Sequence, residues 1–416
     1  MIPINRISAI IVLASIMLLQ DACNQAKEKK DDTTDAAMEM IPFSAGGNIA
    51  EPFLMTDSSN NVFLSFIEKR DSLAELRFSK FDGHKWMPPV TIASGTGWFV
   101  NWADYPKFIS NGKNDFIAST LVKNGKDTYA YDIKLFRSPG GALWLGPFDA
   151  HNDGTAAEHG FLSFAAYEDK ILAVWLDGRN TQKKKNTKAA HVHIGSMTIR
   201  AALFDYMGKK HAEWQIDDRV CDCCMTALCI GPTGPIVAYR DRSDDEVRDI
   251  SISRLIGKKW TSPRTLHADN WRIDGCPVNG PAMDANGSTI AIAWYAEVNG
   301  KAEVKVIFSE DGGTTLGLPT RIDEGKPIGR VDICMIDGGN AWISWMEQEK
   351  IKLVRLNARG EKSKSVTIAS SSVGRSAGFP QMTRVGKDLL FAWTDDKKRS
   401  TIRTARINTE SLELKP

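Results

Sequence analysis

A repeated strand pattern is the feature that most constrains the fold of this 416-residue chain. Seven short apolar strands, each with a large side chain at the same position, recur at intervals of about 50 to 60 residues. Their marker residues are Phe66, Leu121, Trp175, Tyr239, Trp294, Trp345 and Trp393. Because no helical period separates these strands, each repeat is predicted to be a small antiparallel sheet.

The repeats share one internal order. A strand that ends in a turn rich in Gly, Asn or Asp precedes the marker strand, and two more strands follow, as in "AEVKVIFS" and "TRIDE". Four-stranded sheets at this period are typical of a β-propeller, in which each blade packs against its neighbours. We therefore expect an all-β fold, a β-propeller of seven four-stranded antiparallel blades, with six blades as the alternative if one repeat is irregular.

The two ends of the repeat predict how the ring closes. The seventh repeat stops after its third strand, "STIRTARI", without a fourth. The segment 38–47, "MEMIPFSAGG", precedes the first repeat and resembles the fourth strand of that repeat. We expect this N-terminal strand to complete the last blade, which would leave no open sheet edge. Residues 38–416 are thus predicted to form a single propeller domain.

The first 37 residues predict export. Arg6 is followed by the apolar run "ISAIIVLASIMLL" and then a polar break, which is typical of a signal peptide over residues 1–22. Cys23 follows a small residue and resembles the lipid-modified cysteine of bacterial lipoproteins. Residues 23–37 lack aromatic side chains and have the composition of a disordered tether. We expect an exported protein, either anchored at the cell envelope through Cys23 or released as a periplasmic or secreted protein.

The charge balance argues against a nucleic-acid partner. The chain has 53 Lys and Arg residues and 51 Asp and Glu residues. Such a balance offers no electrostatic basis for binding a phosphate backbone. The basic run "KKKNTK" at 183–188 is interpreted as a solvated loop. Contact with a membrane is expected only through the lipid anchor.

One turn carries a family resemblance. In "SEDGGTTLG", the residues Ser309, Asp311, Gly313 and Thr315 resemble the Asp-box of sialidases, with Leu316 in place of the aromatic residue. In such a turn the Asp accepts backbone hydrogen bonds and a glycine takes the positive φ. The chain therefore resembles the sialidase or neuraminidase-like β-propellers with bacterial neuraminidase (BNR) repeats.

That resemblance implies a function. It implies an exo-sialidase-like glycoside hydrolase that acts on an anionic, sialic-acid-type glycoside without a cofactor, using an arginine triad, a Tyr paired with Glu, and an Asp acid/base. The Asp-box would lie on the face opposite the active site. The family's Phe-Arg-Ile-Pro signature is replaced here by "IAEPFLMTD", which contains no arginine. The alternative function is a non-catalytic propeller that binds a glycan or a protein.

Candidate reactive groups lie in loops that a propeller brings to one end. An acid recurs two residues past the marker position, at Glu68, Asp177, Asp241, Glu347 and Asp395. A glycosidase needs two carboxyl groups on either side of the scissile bond. We predict Asp177 and Asp241 as acid/base groups, Glu246 as a second carboxylate and Tyr295 as the nucleophile. The alternative is that the recurring acids only end strands at the surface.

A second set of loop residues predicts anion binding. Guanidinium groups make bidentate hydrogen bonds to carboxylates and sulfates. The predicted substrate-binding residues, which come from several loops, are Arg179, Arg240, Arg242, Arg272, Arg330, Trp271 and Asn279. The alternative for each arginine is a salt bridge between blades.

The stretch "RVCDCCMTALC" contains Cys221, Cys223, Cys224 and Cys229, four of the seven cysteines of the chain. Cys221, Cys223 and Cys224 fall in the loop between the third and fourth blades, and Cys276 falls in the next such loop. Export favours disulfides, either a vicinal Cys223–Cys224 bridge or a Cys221–Cys276 bridge. A thiolate metal site and a redox-active thiol remain alternatives, although the spacing is not the C-x₂-C of zinc ribbons. Outside this cluster no metal or cofactor is predicted.

Overall fold

The structure, a computed structural model, describes residues 38–181, 195–337, 339–397 and 399–412. The predicted signal peptide, the tether with Cys23, and the basic run at 183–188 lie outside the described residues. Within the described ranges, no helix is both long enough and apolar enough to cross a bilayer.

The described residues form seven antiparallel sheets arranged as a propeller, which confirms the seven-blade prediction. Blades 1 and 2 contain β2 (Asn48–Thr56), β3 (Val62–Arg70), β4 (Leu73–Phe81) and β5 (Val90–Gly95), then β6 (Phe108–Ser110), β7 (Phe116–Lys123), β8 (Tyr131–Ser138) and β9 (Leu145–Asp149). Blades 3 and 4 contain β10 (His159–Tyr167), β11 (Lys170–Asp177), β12 (Met197–Asp205) and β13 (Lys210–Val220), then β14 (Ala227–Gly231), β15 (Gly234–Arg240), β16 (Ile250–Ile256), β17 (Lys259–Trp260) and β18 (Arg264–Thr265).

The remaining blades repeat the same order. Blades 5 and 6 contain β19 (Ala282–Asn286), β20 (Thr289–Val298), β21 (Lys301–Ser309) and β22 (Thr320–Arg321), then β23 (Pro327–Asp337), β24 (Asn340–Glu347), β25 (Lys350–Asn357) and β26 (Val366–Ser370). Blade 7 contains β27 (Gln381–Val385), β28 (Asp388–Asp395), β29 (Thr401–Asn408) and β1 (Glu39–Ile41). Single-turn 3-10 helices occur at Pro139–Gly141, Arg375–Ala377 and Thr409–Ser411.

The N-terminal strand closes the ring, as predicted. β1 pairs antiparallel with β29, in a register that places Met40 opposite Ala405 and Ile41 opposite Thr404. The Thr404 hydroxyl donates to the Ile41 carbonyl at 2.7 Å and accepts from the Trp86 indole at 2.9 Å. Since Trp86 belongs to the first repeat, this contact joins blade 7 to blade 1.

The core lies between the blades. All seven predicted marker residues fall on second strands and are buried. Trp175, Trp294 and Trp345 are among the largest fully buried side chains. Second strands are buried along most of their length because both faces of each sheet meet a neighbouring blade. Each large side chain buried in this way contributes roughly 1.5–3 kcal/mol.

First strands line the axis and bond to each other through side chains. Asp284 accepts a hydrogen bond from the Met335 backbone N–H at 2.7 Å, and Asp332 accepts one from Met382 at 2.7 Å. These bonds link blades 5, 6 and 7. A cavity of about 190 Å³ remains on the axis, and its lining includes Lys107 and Asp332.

The turn that resembles an Asp-box has the expected geometry. It joins the third and fourth strands of blade 5, where Asp311 accepts from the Thr315 backbone N–H at 2.8 Å and from the Ser309 hydroxyl at 2.9 Å. Gly312 and Gly313 have φ of 68° and 79°, a region that favours glycine. The turn is a structural element on the end away from the between-blade loops.

Candidate active site at the inner rim

The loops between blades and the loops that follow second strands meet at one end of the propeller, as predicted. Arg240 ends β15 and bonds to the main chain of Asn279, in the loop between blades 4 and 5. Glu347 ends β24 and accepts from the backbone N–H of Lys326 at 2.8 Å. We call this end the inner rim. It is where the polar loop residues are concentrated.

Two of the predicted substrate-binding arginines hydrogen-bond to main-chain carbonyls. Arg240 is 1% exposed and donates to the carbonyls of Asn279, Arg248 and Tyr295. Arg330 is 7% exposed and donates to the carbonyls of Val373, Gly374 and Gly378. Both guanidinium groups connect neighbouring blades, so neither has a donor directed at a ligand. The structure favours the interblade role over substrate binding for this pair.

Trp271 and Asn279 are also structural. Trp271 is 5% exposed, and the Arg240 guanidinium lies 4.8 Å from its ring centroid. The Asn279 side chain accepts from the Arg330 backbone N–H at 2.9 Å and donates to the Ile328 carbonyl at 3.1 Å. The prediction that Trp271 binds substrate is corrected here, because its side chain is buried beneath the loop.

Asp177 is not available as an acid/base group. Its carboxylate has no exposed surface and accepts a bidentate pair from Arg179, both at 2.7 Å, and a third bond from the Trp175 indole. Burial alone would raise the pKa of Asp177, but the hydrogen bonds from Arg179 and Trp175 and the nearby positive charges together outweigh it and lower the pKa. The carboxylate therefore stays charged, and Arg179 is occupied in holding it.

Asp241, Glu246 and Arg242 form a second group of predicted residues. Asp241 is half-buried and accepts from the Ser251 hydroxyl at 2.8 Å, and burial raises its pKa. Glu246 lies between Arg242 at 2.8 Å and Arg248 at 2.9 Å. The hydrogen bond from Arg242 lowers the pKa of Glu246. Glu246 is thus a fixed negative charge that balances two arginines.

The last two predicted residues differ in exposure. The Tyr295 hydroxyl donates to Glu297 at 3.3 Å, and burial raises the pKa of Tyr295 to about 12. Tyr295 is 9% exposed, and among the described residues its hydroxyl bonds to a single carboxyl group. Arg272 is exposed, and its side chain has no hydrogen-bond or ion-pair partner among the described residues. Arg272 is therefore the predicted arginine best placed to meet an anion.

A tyrosine that lies between two carboxyl groups is the most unusual arrangement on the inner rim. The Tyr131 hydroxyl lies 2.8 Å from the Glu158 carboxyl and 3.3 Å from the Asp104 carboxyl. Tyr131 begins β8, Glu158 precedes β10, and Asp104 precedes β6. Tyr131 and Asp104 are buried, whereas Glu158 is half-buried. Three segments from blades 2 and 3 thus converge on one hydroxyl.

The local backbone explains how these groups meet. β10 has a bulge between Gly160 and Ser163, and Phe161 adopts a φ of 56°. That bulge turns the Phe161 N–H toward Asp104, to which it donates at 2.8 Å. A Cβ atom at Gly160 would lie 2.0 Å from the Asp104 carboxylate and 3.0 Å from the Tyr131 ring. Only glycine at position 160 permits this contact.

Burial sets the protonation of the group. It raises the pKa of Glu158 to about 8, with the negative charges of Asp104, Asp222 and Cys276 adding to the effect. It also raises the pKa of Asp104 to about 7. The pKa of Tyr131 is raised well above its usual range, again chiefly by burial. At neutral pH Glu158 holds a proton, Asp104 is near its midpoint and Tyr131 is neutral.

The cysteine cluster lies beside this group, and its thiols are free. The six cysteines within the described ranges form no disulfide, and neither the vicinal bridge nor the Cys221–Cys276 bridge is present. Cys221 Sγ lies 3.9 Å from Cys223 Sγ and 3.5 Å from Cys224 Sγ. These separations exceed the roughly 2.05 Å of an S–S bond. Cys229 and Cys334 lie on first strands and are buried.

Comparison with solved structures identifies proteins of similar fold. The polysaccharide lyase Uly1 is similar over 94% of this chain and 95% of that chain, with a TM-score of 0.54 and 11% identity. An α-L-arabinofuranosidase from Fusarium graminearum gives a TM-score of 0.49 and 10% identity over 91% of this chain and 98% of that one. The fold is that of the sialidase-like propellers.

Similarity to a sialidase structure is also found. NanB sialidase from Streptococcus pneumoniae gives a TM-score of 0.45 and 13% identity over 89% of this chain and 71% of that one. No protein-family model and no curated protein matches the chain. At these low identities, the comparisons show similarity of fold alone.

Sequence reasoning missed the central group of this sialidase-like propeller. Asp104 and Glu158 occur in the between-blade loops "NWADYP" and "TAAEHG", beside residues that gave no chemical pattern. Tyr131 and Glu158 are far apart in the sequence, so the sequence does not indicate that their side chains form a hydrogen bond. A signal was available in Gly160, which follows Glu158 in "EHG" and marks a close approach of backbone and side chains.

Proposed function

We propose that this chain is an exported glycosidase that cleaves an anionic, sialic-acid-type glycoside at the inner rim, with Glu158, Tyr131 and Asp104 as the reacting groups. The observation that carries the proposal is the single tyrosine hydroxyl held within hydrogen-bond reach of two carboxyl groups. Strongly perturbed carboxyl groups that converge on a nucleophile are typical of catalytic sites.

The different exposure of Glu158 and Asp104 indicates which catalytic role each carboxyl group has. Glu158 is half-buried and protonated at neutral pH, so it can reach a substrate and donate a proton. Asp104 is 3% exposed, so it can act only on Tyr131. We assign Glu158 as general acid, Tyr131 as nucleophile and Asp104 as the base that receives the tyrosine proton. Because Tyr131 is 0% exposed, this assignment requires that substrate binding opens the rim above its hydroxyl. This agrees with the sialidase resemblance in using a tyrosine with carboxyl partners.

The reaction balances in two steps. The Tyr131 oxygen bonds to the anomeric carbon as its proton passes to Asp104, and the leaving glycosidic oxygen takes the Glu158 proton. Water then attacks the anomeric carbon and gives a proton to Glu158, while the tyrosine oxygen leaves and regains its proton from Asp104. Two displacements at one carbon retain its configuration.

The anionic substrate is inferred from the arginines of the rim. Arg272 is exposed and lies in the same between-blade loop as Cys276, whose charge contributes to the raised pKa of Glu158. An exposed guanidinium beside the reacting groups suits a sugar carboxylate. Similar solved structures are named as a sialidase, an arabinofuranosidase and a polysaccharide lyase, which all act on glycans. The proposal of export rests on the signal-like segment at 1–22 and on Cys23, which resembles the lipid-modified cysteine of bacterial lipoproteins.

The test is turnover of a fluorogenic sialoside by the wild type and by Tyr131→Phe. Loss of the nucleophile should lower kcat/KM by roughly 10²–10⁴-fold. Tyr206→Phe is the matched control, because it removes another buried hydroxyl, one that has no hydrogen-bond partner. Equal rates in the two variants would refute the assignment. Glycan binding without turnover by the wild type would favour the non-catalytic alternative.

A further inference from the structure

The cysteine cluster on the inner rim has the geometry of a metal site. The Sγ atoms of Cys221, Cys223 and Cys224 all lie within 4.8 Å of one another. A tetrahedral ion with Zn–S bonds of about 2.3 Å separates its sulfur ligands by about 3.8 Å. The observed separations of 3.5 and 3.9 Å bracket that value. The three thiols are therefore spaced as ligands of one ion.

A fourth thiol lies near the other three. Cys276 comes from the next between-blade loop and is near enough to Cys223 to interact with it, but its Sγ is not within 4.8 Å of all three of the other sulfur atoms. It is exposed, whereas Cys221 and Cys224 are 0% and 2% exposed. The three close thiols thus come from one short loop and lie mostly inside, and Cys276 faces them from the solvent side. The four thiols are divided between the loops that flank blade 4.

A buried positive charge lies against the cluster. The Arg248 guanidinium, whose side chain is 3% exposed, donates to Cys221 Sγ at 3.2 Å. One arginine can balance one thiolate, and a bound cation would supply the charge needed to hold the other sulfur ligands as thiolates.

We propose that Cys221, Cys223, Cys224 and Cys276 bind one thiophilic d¹⁰ metal ion, Zn²⁺ or Cu(I), on the inner rim, with Arg248 as a positioning residue. Thiolates are soft ligands and select these ions over Ca²⁺ and Mg²⁺. Binding displaces the thiol protons to solvent and cross-links the two loops that flank blade 4. This inference is independent of the proposed glycosidase activity.

The experiment uses the full chain, reduced and handled without oxygen. The protein is titrated separately with Zn²⁺ and with Cu(I), and bound metal is measured by elemental analysis after gel filtration. We expect one ion per chain and sulfur-only scattering shells in X-ray absorption. The ion that is retained against a competing chelator identifies the metal. Retention of neither ion would overturn the proposal.

Variants separate a specific site from loose thiol binding. Cys221→Ala should abolish stoichiometric binding, and Arg248→Met should weaken it by roughly 10–100-fold. Cys229→Ala is the matched control, because Cys229 is a buried thiol on β14 outside the cluster. Circular dichroism confirms that each variant is folded. If Cys221→Ala fails to fold, metal binding by Arg248→Met is the measurement that tests the site.

Two outcomes would contradict the site. Binding by Cys221→Ala equal to that of Cys229→Ala would show that the cluster is not the ligand set. The second outcome is a disulfide that forms within the cluster on purification, together with no metal uptake after reduction. It would indicate that these cysteines form a structural disulfide and not a metal site. Metal uptake after reduction by the wild type but not by Cys221→Ala would support the proposal.

Discussion

At the scale of the residue, buried carboxyl groups of the inner rim differ in pKa because their partners differ. Asp177 is fully buried beside Arg179, and its pKa is held below the usual range. Glu158 accepts a hydrogen bond from a neutral tyrosine, and its pKa rises to about 8. The first group is fixed as a charge, whereas the second can exchange a proton near neutral pH. That contrast locates the reactive carboxyl.

The raised pKa of Glu158 makes stability depend on pH. The folded chain keeps a proton on Glu158 that the unfolded chain releases above about pH 4.5, so Glu158 favours folding at low pH and loses that effect as pH rises to about 8. Glu158→Gln should remove this dependence. Between pH 5 and 8, its unfolding free energy should fall less steeply than that of the wild type, by up to about 1.4 kcal/mol per pH unit.

Denaturant unfolding at pH 5, 6.5 and 8 measures this slope. Glu310→Gln is the matched control, because Glu310 is exposed in the Asp-box turn. The control should follow the wild type at each pH. Parallel curves for wild type and Glu158→Gln would show that Glu158 is not held protonated in the folded chain.

At the scale of the element, the ends of the second strands position the loops. The recurring acids at these ends bind local partners: Glu68 pairs with Arg77, Glu347 accepts from the Lys326 N–H, and Asp395 pairs with Arg403. Arg240, at the end of β15, has the same role with the opposite charge. Glu68 and Asp395 thus connect strands within one blade, whereas Arg240 connects blade 4 to blade 5.

Arg240 provides a direct test of this bracing role. Arg240→Met keeps the aliphatic stem but leaves the carbonyls of Asn279, Arg248 and Tyr295 without these donors. We expect a loss of about 3–5 kcal/mol in unfolding free energy. Arg272→Met, at an exposed position, should change it by no more than about 0.5 kcal/mol. Similar losses in both variants, measured by chemical denaturation, would contradict the bracing role.

At the scale of the whole molecule, the sequence predicts the ring better than the site. The apolar markers and the missing fourth strand of the last repeat predict seven blades and their closure, because both depend on local strand patterns. The meeting of Tyr131, Glu158 and Asp104 depends on a bulge in β10 and on the packing of blade 2 against blade 3. Neither has a local pattern. Arg240 and Arg330 were predicted as ligands because exposure cannot be inferred from residue type.

The propeller explains how distant residues form one rim. Groups from the loops of blades 2, 3 and 4 converge there because each between-blade loop ends at the same face. A reactive carboxyl, a tyrosine, an exposed arginine and a thiol cluster thus share a small area. The proposed glycosidase activity requires that a glycan binds in that area.

The most direct measurement is a crystal structure of Glu158→Gln bound to an intact sialoside, since this variant should bind substrate without cleaving it. We predict that the anomeric carbon lies beside the Tyr131 hydroxyl and that the sugar carboxylate contacts Arg272. A sugar bound at the outer edge of the blades, or at the end that carries the Asp-box turn, would contradict the account.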